Sequence, residues 1–177
     1  RNALMALIHT TVLLHESIDG LNLHKGSIYL DGTLGSGGHS EYALEKGATV
    51  IGLDQDLEAI ERSKKRLKGG TFIQENYRNL DIALASLKIA KIDAFMLDLG
   101  LSSDQFETSG RGFTFQKDEP LLMTFKKNVT EEDLTASEIV NTWDEANIAD
   151  IIYGYGDERY SRRIAKSIVE SRPIKTT

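Results

Sequence analysis

The chain has 177 residues, of which 40% are hydrophobic and 27% charged, a composition typical of one folded domain with a real core. It contains no cysteine, which excludes disulfides, thiolate metal sites and a cysteine nucleophile, and which fits a reducing, cytoplasmic location. The net charge of −6 disfavours a surface that binds nucleic acid everywhere, so any such contact requires a local basic patch. We find no apolar run long enough for a transmembrane helix and no histidine spacing typical of a metal site.

Short apolar runs alternate with amphipathic stretches through the first hundred residues. The runs predict strands at 27–31, 49–54, 71–74 and 92–98. The stretches between them predict helices at 40–46, 57–68 and 80–87. Continuous apolar strands joined by short helical connections predict an α/β fold with a parallel sheet.

The sequence changes in character after Asp98. Residues 99–127 are rich in glycine, serine and aromatics without a clear period, and helical patterns return at 135–142, 145–153 and 157–171. We therefore predict two regions, a Rossmann-like half at 1–104 and a loop with a helical cap or insertion on the substrate side at 105–177.

A glycine-rich turn follows the first predicted strand. Asp31 ends the strand, and the turn that follows carries Gly35, Gly37, Gly38 and His39 before a predicted helix. Such turns hold the phosphates of dinucleotides or the amino-acid part of S-adenosylmethionine. The third glycine of the dinucleotide pattern is replaced by Ser40, which disfavours a nicotinamide oxidoreductase.

Polar residues also follow the other predicted strands. Asp54 ends the second strand and is placed to accept the ribose hydroxyls of an adenosine, whereas Asp56 suits a helix N-cap. Tyr77 follows the third strand, where it either flanks an adenine or simply packs. Asp98 and Gln105 follow the fourth strand, at the sheet edge where ligands bind in open α/β folds.

Two further groups of residues suggest contacts with a polyanion. Arg111 lies between glycines and precedes Phe113 and Phe115, a pattern that either clamps a phosphate and stacks a base or pins a loop into the core. A basic stripe runs along the last predicted helix and is either an RNA-facing surface or a solvated face with a Glu158–Arg162 pair. The stripe consists of Arg159, Arg162, Arg163 and Lys166.

Taken together, these segments resemble the RsmH or MraW family of 16S ribosomal RNA (cytosine-N4) methyltransferases. The matching segments are residues 9–16, 31–40, 52–56, 97–103, 111–115, 155–159 and 163–166, all in collinear order. The resemblance implies a class I methyltransferase fold whose parallel sheet is truncated to about four strands, with the C-terminal portion of the family's fold missing.

The resemblance also implies a cofactor and a set of site residues. S-adenosyl-L-methionine would bind Gly37, Gly38 and His39 at its methionine end, with Asp31 and Gly35 in the same turn. Its ribose would meet Asp54 and its adenine Tyr77, and Asp98 and Gln105 would line the pocket. The expected catalytic group is Asp98, Arg111 and Phe113, without a metal.

The implied reaction is methyl transfer to the N4 amine of a cytidine in small-subunit ribosomal RNA, with the ribosomal RNA or the small ribosomal subunit as partner. Asp98 is the first candidate to accept a hydrogen bond from that amine, while Phe113 or Phe115 stacks the base and Arg111 holds its phosphate. The alternative is a non-catalytic or repurposed fragment that binds a nucleoside or S-adenosylmethionine and that could form a homodimer through an open edge at the fourth strand.

Overall fold

The computed structural model describes residues 11–101, 106, 109–126 and 128–177, and it divides into two compact units, 1–100 and 101–177. In the part of the chain that the structure describes, no helix is both long and apolar enough to cross a bilayer.

The first unit is built on a four-stranded parallel sheet. Its strands are β1 (Ile28–Asp31), β2 (Thr49–Asp54), β3 (Thr71–Gln74) and β4 (Ala94–Met96). They are ordered β3-β2-β1-β4, with β1 paired in parallel to both β2 and β4. This is the strand order of the first four strands of a Rossmann-type sheet, so the predicted α/β class is confirmed.

Helices cover both faces of this sheet. They are α1 (Leu14–Gly20), α2 (Gly38–Glu45), α3 (Leu57–Arg66) and α4 (Leu80–Ser86), the last preceded by a 3-10 turn at Tyr77–Asn79. One core cluster contains Tyr29 and Val50 with residues of α1, α2 and α3. The other contains Leu30 and Ile51 with Ala83 of α4. Alternate residues of each central strand thus enter opposite cores, which explains their unbroken apolar character.

The predicted strand at 92–98 is longer than the observed β4. Only Ala94, Phe95 and Met96 pair with β1, because β1 ends at Asp31 and the amide of its first residue, Ile28, donates to the side chain of Asp93. Strand β4 pairs only with β1, and at the other end of the sheet β3 pairs only with β2. Among the described strands β4 is therefore an edge strand, and its Phe95 is 39% exposed.

The regular structure described in the second unit includes three helices that follow a long loop. Its helices are α5 (Ala136–Thr142), α6 (Glu145–Gly156) and α7 (Ser161–Glu170). Ile148 and Ala149 of α6 pack with Ala165 of α7 in a small core. The last residue, Thr177, bonds to both the amide and the carbonyl of Glu119 and so closes this unit against its own loop.

Candidate functional site

Acidic residues follow β1, β2 and β4 at the carboxyl edge of the sheet. Asp31 and Asp54 are the last residues of β1 and β2, and Asp98 lies two residues beyond β4. Parallel strands bring these ends to one edge, which is where open α/β sheets bind their ligands. The structure therefore brings together three of the predicted site residues.

The glycine turn is fastened to β2 through Asp54. The amide of Gly35 donates to Oδ2 of Asp54 at 2.8 Å, and the amide of Asp56 donates to Oδ1 at 2.8 Å. Gly35 has φ 51° and Gly37 has φ 78°, values that side chains rarely adopt, so both positions favour glycine. Burial raises the pKa of Asp54, although the two amide donors act in the opposite direction.

Asp31 supports the same turn from inside the fold. Its side chain is 1% exposed, its Oδ2 accepts from the Ser40 hydroxyl at 2.8 Å, and its Oδ1 accepts from the amide of Thr33 at 3.1 Å. Burial raises its pKa to about 6. In this arrangement both oxygens of the carboxyl group accept hydrogen bonds from the turn and from the start of α2. Direct contact between Asp31 and a cofactor stays a prediction.

Helix α3 holds the outer side of the glycine turn. The hydroxyl of Ser63 donates to the carbonyl of Gly35 at 3.3 Å, and the guanidinium of Arg66 donates to the carbonyl of Ser36 at 3.0 Å. Arg66 also forms an ion pair with Glu41 of α2. The motifs in the sequence did not point to Ser63 or Arg66, because Arg66 lies in a basic run that is typical of a solvated helix surface.

His39 ties the segment before α1 to the start of α2. It is 7% exposed, and its Nε2 lies 3.2 Å from the carbonyl oxygen of Val12. A Cβ added at Gly38 would lie 1.9 Å from Oγ1 of Thr11, so this segment crosses directly over the first residue of α2. His39 thus contacts the segment before α1, and its contact with a cofactor stays a prediction.

Tyr77 and Asp98 lie beside the ends of the central strands. A Cβ added at Gly32 would lie 3.2 Å from Cβ of Tyr77, which places this half-buried tyrosine next to the residue that follows β1. Asp98 is exposed, and its amide donates to Oγ1 of Thr33 at 2.7 Å. Its carboxylate is therefore accessible from the sheet edge. Gln105 lies outside the described residues.

In the second unit, Arg111 is buried and joins two parts of its loop. It is 7% exposed and donates to the carbonyl of Phe125, whose ring lies 5.8 Å from that of Phe113. Phe115, in contrast, is 85% exposed, so the hypothesis that both aromatics are pinned in the core is wrong for Phe115. The predicted catalytic roles of Arg111 and Phe113 stay predictions.

The basic stripe lies on the exposed side of α7 and the turn before it. Arg159, Arg162, Arg163 and Lys166 are all exposed. The carboxylate of Glu158 accepts from the amide of Tyr160 at 2.7 Å, and no ion pair joins Glu158 to Arg162 among the described side chains. The sequence-based pairing of Glu158 with Arg162 is therefore wrong.

Comparison with known proteins gives one family match and several close relatives. The model of the MraW methylase family matches residues 6–177. The chain is 42% identical over 182 residues to ribosomal RNA small subunit methyltransferase H of Clostridium botulinum (strain Kyoto / Type A2), covering 98% of this chain and 58% of the relative. It is also 42% identical over 176 residues to the protein of that name from Fervidobacterium nodosum, covering 96% of this chain and 59% of the relative. The chain thus spans less than two thirds of the relatives it matches.

Two solved structures are similar to part of the chain. An rRNA methylase from Streptococcus thermophilus is 25% identical with a TM-score of 0.37, covering 41% of this chain and 48% of that chain. A TehB-like SAM-dependent methyltransferase from Corynebacterium glutamicum is 20% identical with a TM-score of 0.32, covering 36% of this chain and 35% of that chain.

Proposed function

Because the chain belongs to the MraW methylase family, we propose that it carries the cofactor-binding part of an S-adenosylmethionine-dependent methyltransferase that acts on the N4 amine of a cytidine in small-subunit ribosomal RNA. The observation that carries the proposal is the 2.8 Å hydrogen bond from Gly35 to Asp54, which unites the glycine turn and the acid of β2 in one site. In this proposal, residues 1–104 bind the cofactor and residues 105–177 lie on the substrate side.

The residues at the sheet edge fit S-adenosylmethionine. Asp54 is half-buried, and each of its oxygens accepts one amide, which leaves a lone pair on each for a ribose hydroxyl. A Cβ added at Gly35 would meet only the carbonyl of Thr33, at 3.8 Å, so a ligand can approach this part of the turn closely. Tyr77, beside the end of β1, offers an aromatic ring for the adenine.

When bound, S-adenosylmethionine supplies a methyl group on a positively charged sulfur. The cytidine amine is a poor nucleophile, because its lone pair is delocalised into the ring. Asp98 is exposed at the sheet edge, and its carboxylate accepts a hydrogen bond from the amine. That hydrogen bond increases the electron density on the nitrogen, and the carboxylate is then placed to take the proton that the amine loses.

The second unit supplies the substrate contacts of this proposal. Arg111 is buried against the carbonyl of Phe125, so it orders the loop that carries Phe113 and the exposed Phe115. Phe115 is 85% exposed and suits stacking on an unpaired base better than Phe113, which packs on Phe125. The basic stripe on α7 contributes attraction for the RNA backbone.

Calorimetric titration of the chain with S-adenosylmethionine tests the cofactor assignment, with S-adenosylhomocysteine and NADH as comparisons. We expect micromolar binding of the first two ligands, about −8 kcal/mol, and none of NADH. Transfer of a labelled methyl group to small ribosomal subunits, followed by nucleoside analysis, then tests the N4 position. Binding of NADH alone would overturn the proposal, and a labelled nucleoside other than N4-methylcytidine would overturn the assigned position.

A homodimer through the edge strand β4 also stays a prediction from the sequence. Light scattering measures it directly: a mass near twice 19.7 kDa supports it, and a mass near 19.7 kDa contradicts it.

A further inference from the structure

A second surface, separate from the glycine turn in sequence, lies where α6 ends and α7 begins. We call it the Tyr-Arg surface and define it by six exposed residues: Tyr155, Arg159, Tyr160, Arg162, Arg163 and Lys166. Tyr155 is 93% exposed and Tyr160 is 49% exposed, which is unusual for aromatic side chains. Large exposed aromatics next to a cluster of one charge indicate an interaction surface.

The positive charge of this surface is largely uncompensated. Arg159, Arg162 and Arg163 form no ion pair with any residue that the structure describes. Lys166 faces Glu170 at 3.8 Å, where both side chains are well exposed and weakly coupled. On a chain with a net charge of −6, a basic cluster of this kind marks a local site for a polyanion.

The arginines and Tyr160 are arranged together. The guanidinium carbons of Arg159 and Arg163 lie 4.7 Å and 5.7 Å from the centroid of the Tyr160 ring. These distances are within the range of a cation–π contact, which orders the flat groups against each other. A tyrosine ring and guanidinium planes are surfaces on which nucleic-acid bases stack, and the N–H groups of arginine bind phosphates.

Two glycines in the last turn of α6 leave space for a ligand beside the Tyr-Arg surface. A Cβ added at Gly154 or at Gly156 would meet no described atom within 4 Å, and neither residue has a positive φ. Glycine destabilises a helix by about 1 kcal/mol relative to alanine, so the packing of the described chain gives no reason for either residue. Their bare backbone flanks Tyr155 and permits the close approach of a bound molecule.

We propose that the Tyr-Arg surface binds single-stranded RNA, with one base stacked on Tyr160 and with Arg159 and Arg163 on neighbouring phosphates. The choice of RNA rests on the proposed function, while the choice of a single strand rests on the exposed aromatic rings. Bases in a duplex are stacked on each other and offer no free face to Tyr160. An acidic protein segment would satisfy the arginines but would leave the aromatic platform unused.

Fluorescence anisotropy of a labelled oligouridine of about 12 nucleotides, with the 177-residue chain and without a methyl donor, tests this directly. Tyr160→Ala is expected to weaken binding at least about fivefold and to leave its salt dependence unchanged, since stacking is not ionic. Tyr160→Phe should bind like the original chain. Arg163→Ala should reduce the slope of log K against log salt by about 0.7, the value for one phosphate contact on a single strand.

Lys65→Ala is the matched control, because Lys65 is an exposed cation in the basic run of α3. It should leave both affinity and salt slope unchanged. Equal losses for Lys65→Ala and Arg163→Ala, or equal affinity for single-stranded and duplex RNA, would overturn the proposal. Unchanged binding by a folded Tyr160→Ala chain would overturn it as well. If Tyr160→Ala fails to fold, Tyr160→Leu replaces it, since leucine keeps the apolar bulk without a stacking face.

The result of this test is independent of the result of the cofactor titration that tests the proposed function. A chain that binds oligouridine through Tyr160 but does not bind S-adenosylmethionine would refute the cofactor assignment and support the Tyr-Arg surface. A chain that binds the cofactor but whose RNA binding ignores Tyr160 would refute this inference alone.

Discussion

The Ser40 hydroxyl donates a 2.8 Å hydrogen bond to Oδ2 of Asp31, nine residues earlier in the chain. The bond joins the last residue of β1 to the first turn of α2 and so spans the glycine turn between them. Because Asp31 is 1% exposed, water does not solvate its carboxyl group. The stability of the turn is therefore linked to the protonation of one buried carboxyl group.

This linkage predicts a pH dependence of stability. Burial raises the pKa of Asp31 from its ordinary value of 3.8 to about 6, with Asp54 raising it further and the bonds from Ser40 and Thr33 and the nearby His39 lowering it. Between about pH 4 and about pH 6 the folded chain binds more protons here than the unfolded chain, so this group's contribution to the free energy of unfolding falls as pH rises.

Asp31→Asn removes the titrating group and tests the sign. The free energy of unfolding of the original chain minus that of the variant should be largest at about pH 4 and should decrease by about pH 7. Asp54 also has a raised pKa and is present in both chains, so the effect of its own burial is common to both, whereas its charge interaction with Asp31 is lost in the variant. Urea denaturation at several pH values provides the measurement. A difference that stays constant across this range would contradict the linkage.

Asp54→Asn is predicted to weaken both cofactor binding and the stability of the fold. The change weakens the bonds from the amides of Gly35 and Asp56 and removes the charge that accepts ribose hydroxyls. We expect at least about a tenfold loss of S-adenosylmethionine affinity, and a loss of about 1–2 kcal/mol in the free energy of unfolding.

Asp93→Asn is the matched control for Asp54. Its carboxylate also accepts a backbone amide at 2.8 Å, from Ile28, but at the amino end of the sheet. This variant should lose some stability and keep its cofactor affinity in calorimetry. Equal affinity losses in both variants would show that the effect is one of general stability and not of the site.

Strands β2 and β3 illustrate what the sequence determines locally. The observed bounds of both are those predicted from their apolar runs, because the apolar residues of each run are divided between the two cores. Asp56 caps α3 as expected, with its carboxylate accepting from the amide of Glu58 at 3.0 Å. Helix α1 was not predicted, since Leu14–Gly20 is too short for a helical period to be recognised.

The sequence indicates where the acidic residues of the candidate site lie in the sheet, but not which groups their side chains contact. Strand ends place Asp31, Asp54 and Asp98 at one edge, as parallel topology requires. Whether such a carboxylate faces a ligand or the protein depends on partners elsewhere, and for Asp31 the partner is Ser40. The bond from Arg66 to Ser36 joins residues 30 positions apart, and no local pattern marks it.

Gly38→Ala is predicted to destabilise the chain for reasons of space alone. Gly38 has no positive φ, but a Cβ there would lie 1.9 Å from Oγ1 of Thr11. We expect a loss of about 1–3 kcal/mol in the free energy of unfolding, the usual cost of overpacking. Adding Thr11→Gly should recover part of this loss in chemical denaturation. A double variant no more stable than Gly38→Ala would show that Thr11 is not the obstacle.

Arg66→Met is predicted to affect the glycine turn more than the stability of the fold. The ion pair with Glu41 is roughly half exposed, so its loss should cost less than about 1 kcal/mol. Loss of the bond to the carbonyl of Ser36 frees the turn, and we expect a severalfold weaker affinity for S-adenosylmethionine in calorimetry. Lys65→Met on the same helix should leave affinity unchanged. An equal weakening in both variants would assign the effect to net charge.

Asp98→Asn tests the proposed acceptor for the cytidine amine. The side chain is exposed, and the bond to Thr33 uses the backbone amide of Asp98, so the variant should fold and keep that contact. An asparagine oxygen still accepts a hydrogen bond but cannot take a proton at neutral pH. We expect methyl transfer to small ribosomal subunits to fall at least about a hundredfold, the usual contribution of a general base, with cofactor affinity changed little. Full turnover by a variant with unchanged cofactor affinity would eliminate Asp98 as the base, and a loss of affinity in proportion to turnover would assign Asp98 to the cofactor instead.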